Sequence, residues 1–268
     1  MKHVLTVAGS DSCGGAGIQA DLKTFSALGT YGMSAVTAVT AQNTTGVLMV
    51  QEMPADLVAA QINCLFDDIT VDAVKIGMVS SSEIIATVAG CLAAKGARHI
   101  VADPVMVSKS GHQLLQPAAC ATLIELLLPL ADVVTPNIPE AEVLINGSIN
   151  TLADMKQAAR EIYRLGPKHV VIKGGHLAGE AVDVLYDGRQ VELFAGPRLA
   201  TRHTHGTGCT FAAAIAAYLA RGFTVKEAVR AAKAYVTTAI AHGLPLGRGH
   251  GPTHHFYALY KQAGVLPE

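Results

Sequence analysis

Tryptophan is absent from this 268-residue chain, and phenylalanine and tyrosine are so few that aromatic residues make up only 5% of it. With half of the residues hydrophobic and many of them alanine or glycine, the core must be filled by small side chains, which favours helices packed close against a sheet. Charge is scarce as well: 15% of residues are charged and the formal net charge is −1. A broad basic surface for nucleic acid or for an anionic membrane is thereby excluded, and small-molecule chemistry becomes the expectation. No apolar run approaches the length of a membrane span, and the first residues lack the pattern of a secretory leader. The five cysteines, Cys13, Cys64, Cys91, Cys120 and Cys209, are odd in number and form no C-x-x-C pair. Neither a disulfide framework nor a zinc site follows, and the thiols read as those of a reduced, cytoplasmic protein. No G-x-x-x-x-G-K-[ST] is present either, which excludes a P-loop.

What is present centres on Thr204-His205-Gly206-Thr207-Gly208-Cys209-Thr210, which runs directly into an alanine-rich stretch over 211–219. Two glycines free the backbone to curl, and the alanines behind them form helix readily. Unpaired N–H groups should therefore converge at the helix start, where the helix dipole adds partial positive charge. Backbone donors aimed at a growing anion are what phosphoryl or acyl transfer requires. Cys209 falls in the same first turn, where a thiol's pKa tends to fall. A tight turn with a small buried thiol is the alternative from this stretch alone.

The rest of the chain reads as repeated strand and helix. Residues 4–8 form an apolar strand, the glycine-rich loop over 9–17 follows, and 18–28 carry helical spacing. The next strand is expected over 34–43, a helix over 54–66 and a buried strand over 71–76. Ser80 to Glu83 resembles a capping box for a helix closing at Lys95-Gly96. A strand over 99–102 delivers Asp103, and residues 107–111 form a polar segment read as a mobile flap, with a helix starting at Pro117. The strand over 132–134 breaks at Thr135-Pro136-Asn137, where Asn137 and Glu140 either cap a helix or face the strand ends. A helix over 152–165 precedes a strand ending in Lys173-Gly174-Gly175. Two short strands over 182–186 and 191–194 make a hairpin, and helices over 207–220 and 225–242 complete the core. This is one doubly wound α/β domain spanning 1–268. Open α/β sheets place ligands at the carboxyl ends of their strands, where Asp103, Asn137, Glu140 and Lys173 collect.

Gly15-Ala16-Gly17-Ile18-Gln19-Ala20 formally matches a dinucleotide fingerprint, but the strand that follows offers no acidic residue for a ribose hydroxyl. The better reading is a loop that lets backbone approach a ligand. Asp21, one turn into the helix, is then either a polar anchor or a solvated helix residue.

These motifs, together with Ala41-Gln42-Asn43-Thr44, Lys75-Ile76-Gly77-Met78, Asp103-Pro104-Val105-Met106 and Pro136-Asn137-x-x-Glu140-Ala141, resemble the hydroxymethylpyrimidine/phosphomethylpyrimidine kinases of bacterial thiamine biosynthesis over nearly the whole chain. The resemblance implies a ribokinase-like fold, an open and mostly parallel sheet flanked by helices on both faces, with a small hairpin or flap. It implies ATP-dependent phosphorylation of 4-amino-5-hydroxymethyl-2-methylpyrimidine and then of its monophosphate, with magnesium, a monovalent cation being left open. Asp21 and Gln42 would hydrogen-bond the pyrimidine, with Gly9, Met78 and Val105 lining its pocket. Asn137 and Lys173 would meet ATP, Asp103 and Glu140 the metal, and Gly206, Thr207, Gly208 and Cys209 the transferring phosphoryl group. Cys209 is expected to accept the hydroxyl proton. His205 and Lys109 are lesser candidates for orienting the turn and neutralising phosphate. A homodimer is implied, with no nucleic-acid or membrane partner. Cys13 and His112 depart from the residues usual in that family and lie in loops around the site. A pyridoxal or pyridoxine kinase of the same fold is the nearest rival, followed by a non-catalytic nucleotide-binding regulator. A Cys209/His205 hydrolase dyad is geometrically poor, since the two flank one turn.

Overall fold

The structure is a computed structural model that describes residues 1–107, 114–116, 118–175 and 180–266. Lys109, Ser110, Gly111 and His112 of the expected flap, together with Pro117, lie outside the described residues. Nine strands form one sheet: β1 (Lys2–Asp11), β2 (Thr30–Asn43), β3 (Gly46–Glu52), β4 (Ala73–Ile76), β5 (Ile100–Ala102), β6 (Val133–Val134), β7 (Val170–Ile172), β8 (Asp183–Tyr186) and β9 (Val191–Phe194). Their spatial order is β3-β2-β1-β4-β5-β6-β7-β8-β9. Strands β1, β2 and β4 to β7 are parallel to one another, whereas β3, β8 and β9 run antiparallel to their neighbours. The chain winds one way from β1 and then returns past it to β4, so a topological switch lies between those two strands. Such a crevice is where open α/β sheets bind ligands.

Helices α1 (Gly17–Ala27), α7 (Thr207–Ala220) and α8 (Val225–Ala241) cover one face of the sheet, and α2 (Ala55–Asp68), α3 (Ser82–Ala94), α4 (Ala119–Thr122), α5 (Ile138–Ile145) and α6 (Leu152–Tyr163) cover the other. A short helix α9 (Tyr257–Gln262) follows near the C-terminus. Strand residues alternate between the two layers: Leu5, Val74, Ile100, Val134 and Val170 face one core, while Val4, Ala73, Val101, Val133 and Val171 face the other. Helix α7 is buried nearly all round, from Thr210 to Ala217. A helix apolar on every side belongs in a core, and its alanines let its axis lie close to the sheet. No helix among the described residues is long and apolar enough to cross a membrane.

Several boundaries differ from the sequence reading. Strand β2 starts at Thr30, the strand expected from residue 71 starts at Ala73, and the helix expected over 54–66 covers Ala55–Asp68. Strand β3 was not expected at all. It is an edge strand whose Leu48 and Met49 point largely to solvent, so its apolar residues lack the alternation that marks a half-buried strand. The helix expected after 117 begins in the described residues at α4 and continues through a π-turn, Leu123–Leu127, and a 3₁₀ turn, Leu128–Leu130, ahead of β6.

Backbone bonding continues past the ends of the parallel strands. The N–H of Gly77 donates to Val7, that of Asp103 to Ile76, that of Thr135 to Ala102 and that of Lys173 to Pro136, each at 2.9 Å. Consecutive crossovers thereby bring the residues that follow β4 to β7 into one row along the carboxyl edge.

Ala214, fully buried in α7, tests the close packing. Ala214→Leu inserts three carbons where there is no void, so it should destabilise the fold by about 1–3 kcal/mol. The check is the denaturation midpoint, and an unchanged midpoint would contradict a close contact between α7 and the sheet.

Candidate active site

Helix α7 begins at a turn that only glycine can make. Gly206, its N-cap, has φ 78°, and a Cβ there would lie 1.7 Å from the carbonyl oxygen of Gly15. The loop after β1 and the turn before α7 are thus in backbone contact, with no room for a methyl group on either side. In the first turn, the Thr207 N–H donates to the Thr204 carbonyl and the Thr210 N–H to that of Gly206. Among the described residues no acceptor meets the N–H groups of Gly208 and Cys209. Two unpartnered amides at a helix N-terminus are an anion hole.

Lys173 and Asp103 face that hole. A Cβ on Gly208 would be 3.5 Å from both Lys173 Nζ and Asp103 Oδ2. Lys173 Nζ donates to Asp103 Oδ1 at 2.7 Å and stands 3.9 Å from Glu140 Oε2, and Thr135 Oγ1 donates to Asp103 Oδ1 at 3.1 Å. Burial opposes the charge on Lys173, but Asp103 and Glu140 overcome it and raise its pKa. Asn137 and Glu140 form a capping box at the start of α5: the Asn137 N–H donates to Glu140 Oε2 at 2.7 Å and the Glu140 N–H to Asn137 Oδ1 at 2.9 Å. The helix-cap alternative is therefore realised, and Asn137 Oδ1 is engaged by its own helix. Glu140 serves the cap and Lys173 at once.

The substrate-side residues divide. Gly9 and Met78 adjoin, since a Cβ on Gly9 would sit 3.1 Å from Met78 Sδ, and Thr37 Oγ1 donates to the Met78 carbonyl. Val105 is half-buried immediately after the Asp103 row. Gln42 is partly exposed at the end of β2; its Oε1 accepts from Thr40 Oγ1 at 3.1 Å, and its backbone exchanges two bonds with the Ser12 hydroxyl.

Asp21, in contrast, carries a buried ion pair. It is fully buried, and one of its oxygens, Oδ2, accepts from Thr6 Oγ1 at 2.6 Å and from Lys75 Nζ at 2.8 Å. Among the described residues Oδ1 has no partner. A ring-anchor role would fall to the unpartnered Oδ1, and the reading of a solvated residue gives way to a buried ion pair. The reason lies in β4, where Lys75 takes a position facing the α1 and α7 layer and needs a counter-charge there. Burial alone would lower the Lys75 pKa, yet Asp21, Cys209 and Asp103 hold it above the ordinary lysine range.

Lys75 is the residue that sequence reading missed as a participant in the site. A lysine inside an otherwise apolar strand, Ala73–Ile76, was the available signal.

The Cys209 thiol also departs from expectation. Burial, with Asp21 and Asp103 adding to it, pushes its pKa up to about 11, against the opposing effects of Lys75 and a hydrogen bond from the Gly17 N–H. Near neutral pH the group is a thiol. Helix position alone would have lowered the value, but desolvation between two carboxylates outweighs it.

Asp11, Cys13 and His205 place donor atoms within 4.8 Å of one another. The Asp11 carboxylate already accepts from the N–H groups of Cys13, Gly15 and Ala16 and from His205 Nε2. The cluster is a staple between loops.

A doubly wound sheet that sets an anion hole, a lysine and a carboxylate along its carboxyl edge defines a small-molecule phosphotransferase of the α/β kind. The chain belongs to the phosphomethylpyrimidine kinase family, whose model matches residues 11–254. It is 54% identical over 256 residues to the hydroxymethylpyrimidine/phosphomethylpyrimidine kinase of Streptomyces coelicolor, covering 96% of this chain and 95% of that protein. It is equally similar to the thiamine biosynthesis bifunctional protein ThiED of Geobacter sulfurreducens, of whose length it spans about half, 52%. Among solved structures, an ADP complex of Bacillus subtilis pyridoxal kinase superposes with a TM-score of 0.89 at 45% identity, covering 95% of this chain and 97% of that one.

Glu140 offers a pH test. Burial and Asp103 push its pKa from 4.5 up to about 7, against Lys173 and two backbone N–H groups. Its folded-state pKa lies above the unfolded value, so the stability contributed by the protonated form is present below about pH 4.5 and lost as pH rises through about 7. Glu140→Gln keeps an acceptor for the cap and removes the titration. Its stability profile between pH 5 and 8 should be flatter than that of the wild type, and parallel profiles would refute the shift.

Proposed function

We propose that this chain transfers the terminal phosphoryl group of ATP to 4-amino-5-hydroxymethyl-2-methylpyrimidine and then to the resulting monophosphate, the two kinase steps of the pyrimidine branch of thiamine diphosphate biosynthesis. The observation that carries this is the pair of open amides on Gly208 and Cys209 beside Lys173 and Asp103, in a chain more than half identical, end to end, to a kinase named for those substrates.

The residues suit the groups the reaction needs. Asp103, backed by Glu140 and the Thr135 hydroxyl, is a hard oxygen set of the kind magnesium prefers, and Lys173 is a point charge suited to phosphate. When bound, magnesium and ATP supply the transferable phosphoryl group and neutralise its charge. The loose transition state of phosphoryl transfer requires chiefly positioning and charge stabilisation. The amides of Gly208 and Cys209 would donate to the oxygens of the transferring group, and Lys173, close beside Gly208, would balance their charge. Gly9, Gln42, Met78 and Val105 hold the ring so that its hydroxymethyl arm points at the hole.

Cys209, a thiol at neutral pH, has no standing negative charge with which to take the hydroxyl proton. It would orient that hydroxyl by hydrogen bonding while the new O–P bond forms and the bond from that phosphorus to the bridging oxygen of ATP breaks to release ADP, the hydroxyl proton leaving to a phosphoryl oxygen or solvent.

Pyridoxine is the second reading, favoured by the likeness to a pyridoxal kinase structure. A coupled assay of ATP turnover with magnesium, comparing hydroxymethylpyrimidine, its monophosphate and pyridoxine by kcat/KM, decides between them. Both pyrimidines should be turned over well ahead of pyridoxine, and the reverse order would overturn the substrate assignment. In the same assay Cys209→Ala should lose roughly tenfold to a hundredfold in kcat with little change in KM, as expected of a group that orients the reacting atom. Unchanged kcat would remove the thiol from the mechanism.

The exposed apolar ribbon of Val39, Leu48 and Met49 on β2 and β3 supports a homodimer. Light scattering should give twice the 27.8 kDa of one chain, and a single chain's mass would exclude the dimer.

A further inference from the structure

Two loops separated by nearly two hundred residues meet at His205. Its Nε2 lies 2.8 Å from Asp11 Oδ2, the same oxygen that accepts from the N–H groups of Gly15 at 3.0 Å and Ala16 at 2.8 Å. The other oxygen, Oδ1, accepts from the Cys13 N–H at 2.8 Å. Both side chains are buried, Asp11 at 3% and His205 at 6% exposure. A carboxylate ringed by N–H donors can only accept, so the imidazole proton on this bond sits on Nε2.

Gln42 Nε2 lies 3.5 Å from the same ring nitrogen. With a donor on each side, that approach is a packing contact, and the Gln42 amide keeps its N–H groups for a ligand. His205 therefore touches the expected ring anchor on one side and immediately precedes Gly206 on the other.

The fit leaves little slack. A Cβ on Gly15 would fall 2.3 Å from His205 Cδ2 and 3.0 Å from Pro252 Cβ. The His205 N–H donates to the Gly251 carbonyl at 3.0 Å, and its carbonyl accepts from the Thr253 N–H at 3.3 Å. The same β1–α1 loop abuts the turn, since a Cβ on Gly206 would lie 1.7 Å from the Gly15 carbonyl oxygen. A shift of that loop against the turn would displace the anion hole, the thiol and the substrate pocket relative to one another.

We propose that His205 is a positioning residue, which through its bond to Asp11 and its contact with Gln42 sets the anion-hole turn in register with the bound acceptor substrate. It touches neither reacting group, and its effect is on alignment. Misplacement by about 1 Å at a reacting centre costs on the order of a hundredfold in rate. The inference rests on the kinase reading above.

The test compares His205→Leu, which keeps bulk but no donor, with His205→Gln, whose Nε2 can reach Asp11 as the ring nitrogen does. Steady-state kinetics with hydroxymethylpyrimidine and ATP are measured beside the thermal midpoint of each variant. His205→Leu should lose roughly tenfold to a hundredfold in kcat while both KM values stay within about twofold. His205→Gln should recover most of that loss. Asp11→Asn, which weakens the bond from its other end, should fall as His205→Leu does, and the double variant should be little worse than either single one. If His205→Leu fails to fold, the Asp11→Asn and His205→Gln kinetics carry the same comparison.

Full kcat in folded His205→Leu or in Asp11→Asn would overturn the proposal. So would equal losses in the Leu and Gln variants, which would mark a need for the ring itself. A wild-type protein inactive on both pyrimidines would instead refute the kinase reading.

Discussion

The site depends on a contact between two stretches of bare backbone. Gly206 lies against the carbonyl of Gly15, and Gly17, with φ 55°, lies against the carbonyl of Gly9, where a Cβ would fall 1.7 Å and 2.3 Å from the respective oxygens. No L side chain fits at these places. Because the glycines permit that approach, the start of α7 comes to the β1/β4 switch point. Its free amides then open toward Lys173 and Asp103. The alanine-only flank of α7 serves the same end, since bulkier residues would hold the helix away from the sheet.

Around that contact, charge is arranged in neutralised groups. Lys75 pairs with Asp21 beneath the thiol, and Lys173 balances Asp103 and Glu140 at the mouth. Groups this buried are tolerable only when paired. Beside these pairs, burial raises the pKa of the Cys209 thiol, with Asp21 and Asp103 adding to the shift and Lys75 opposing it. A neutral thiol is compatible with the proposed transfer, since a loose transition state asks chiefly for positioning.

Much of this was legible in the chain. The Gly206 to Cys209 turn announced itself by two glycines ahead of an alanine run, and the apolar strands ending in Asp103 and Lys173 announced the edge on which those residues meet. Local spacing carries such information because glycine freedom, helix propensity and strand alternation act over a few residues. Asp21 shows where that information stops. Its place on α1 was clear, but whether it faced solvent, ligand or core turned on Lys75, fifty-four positions away, and no local pattern couples the two. Asn137 and Glu140 were ambiguous for the opposite reason, since one spacing serves both a helix cap and a phosphate site. Strand β3 was missed because an edge strand with outward apolar residues carries no alternation.

By itself the sequence determined the α/β class, the carboxyl edge as the site, the anion-binding turn and the family, all of which rest on short motifs and their order. Tertiary structure decided which charges neutralise which, the protonation of Cys209 and the meeting of His205 with Asp11 and Gln42. Those properties depend on distances between residues far apart in the chain and on how much water is excluded between them. Folding sets both of these, and no stretch of sequence holds either one alone.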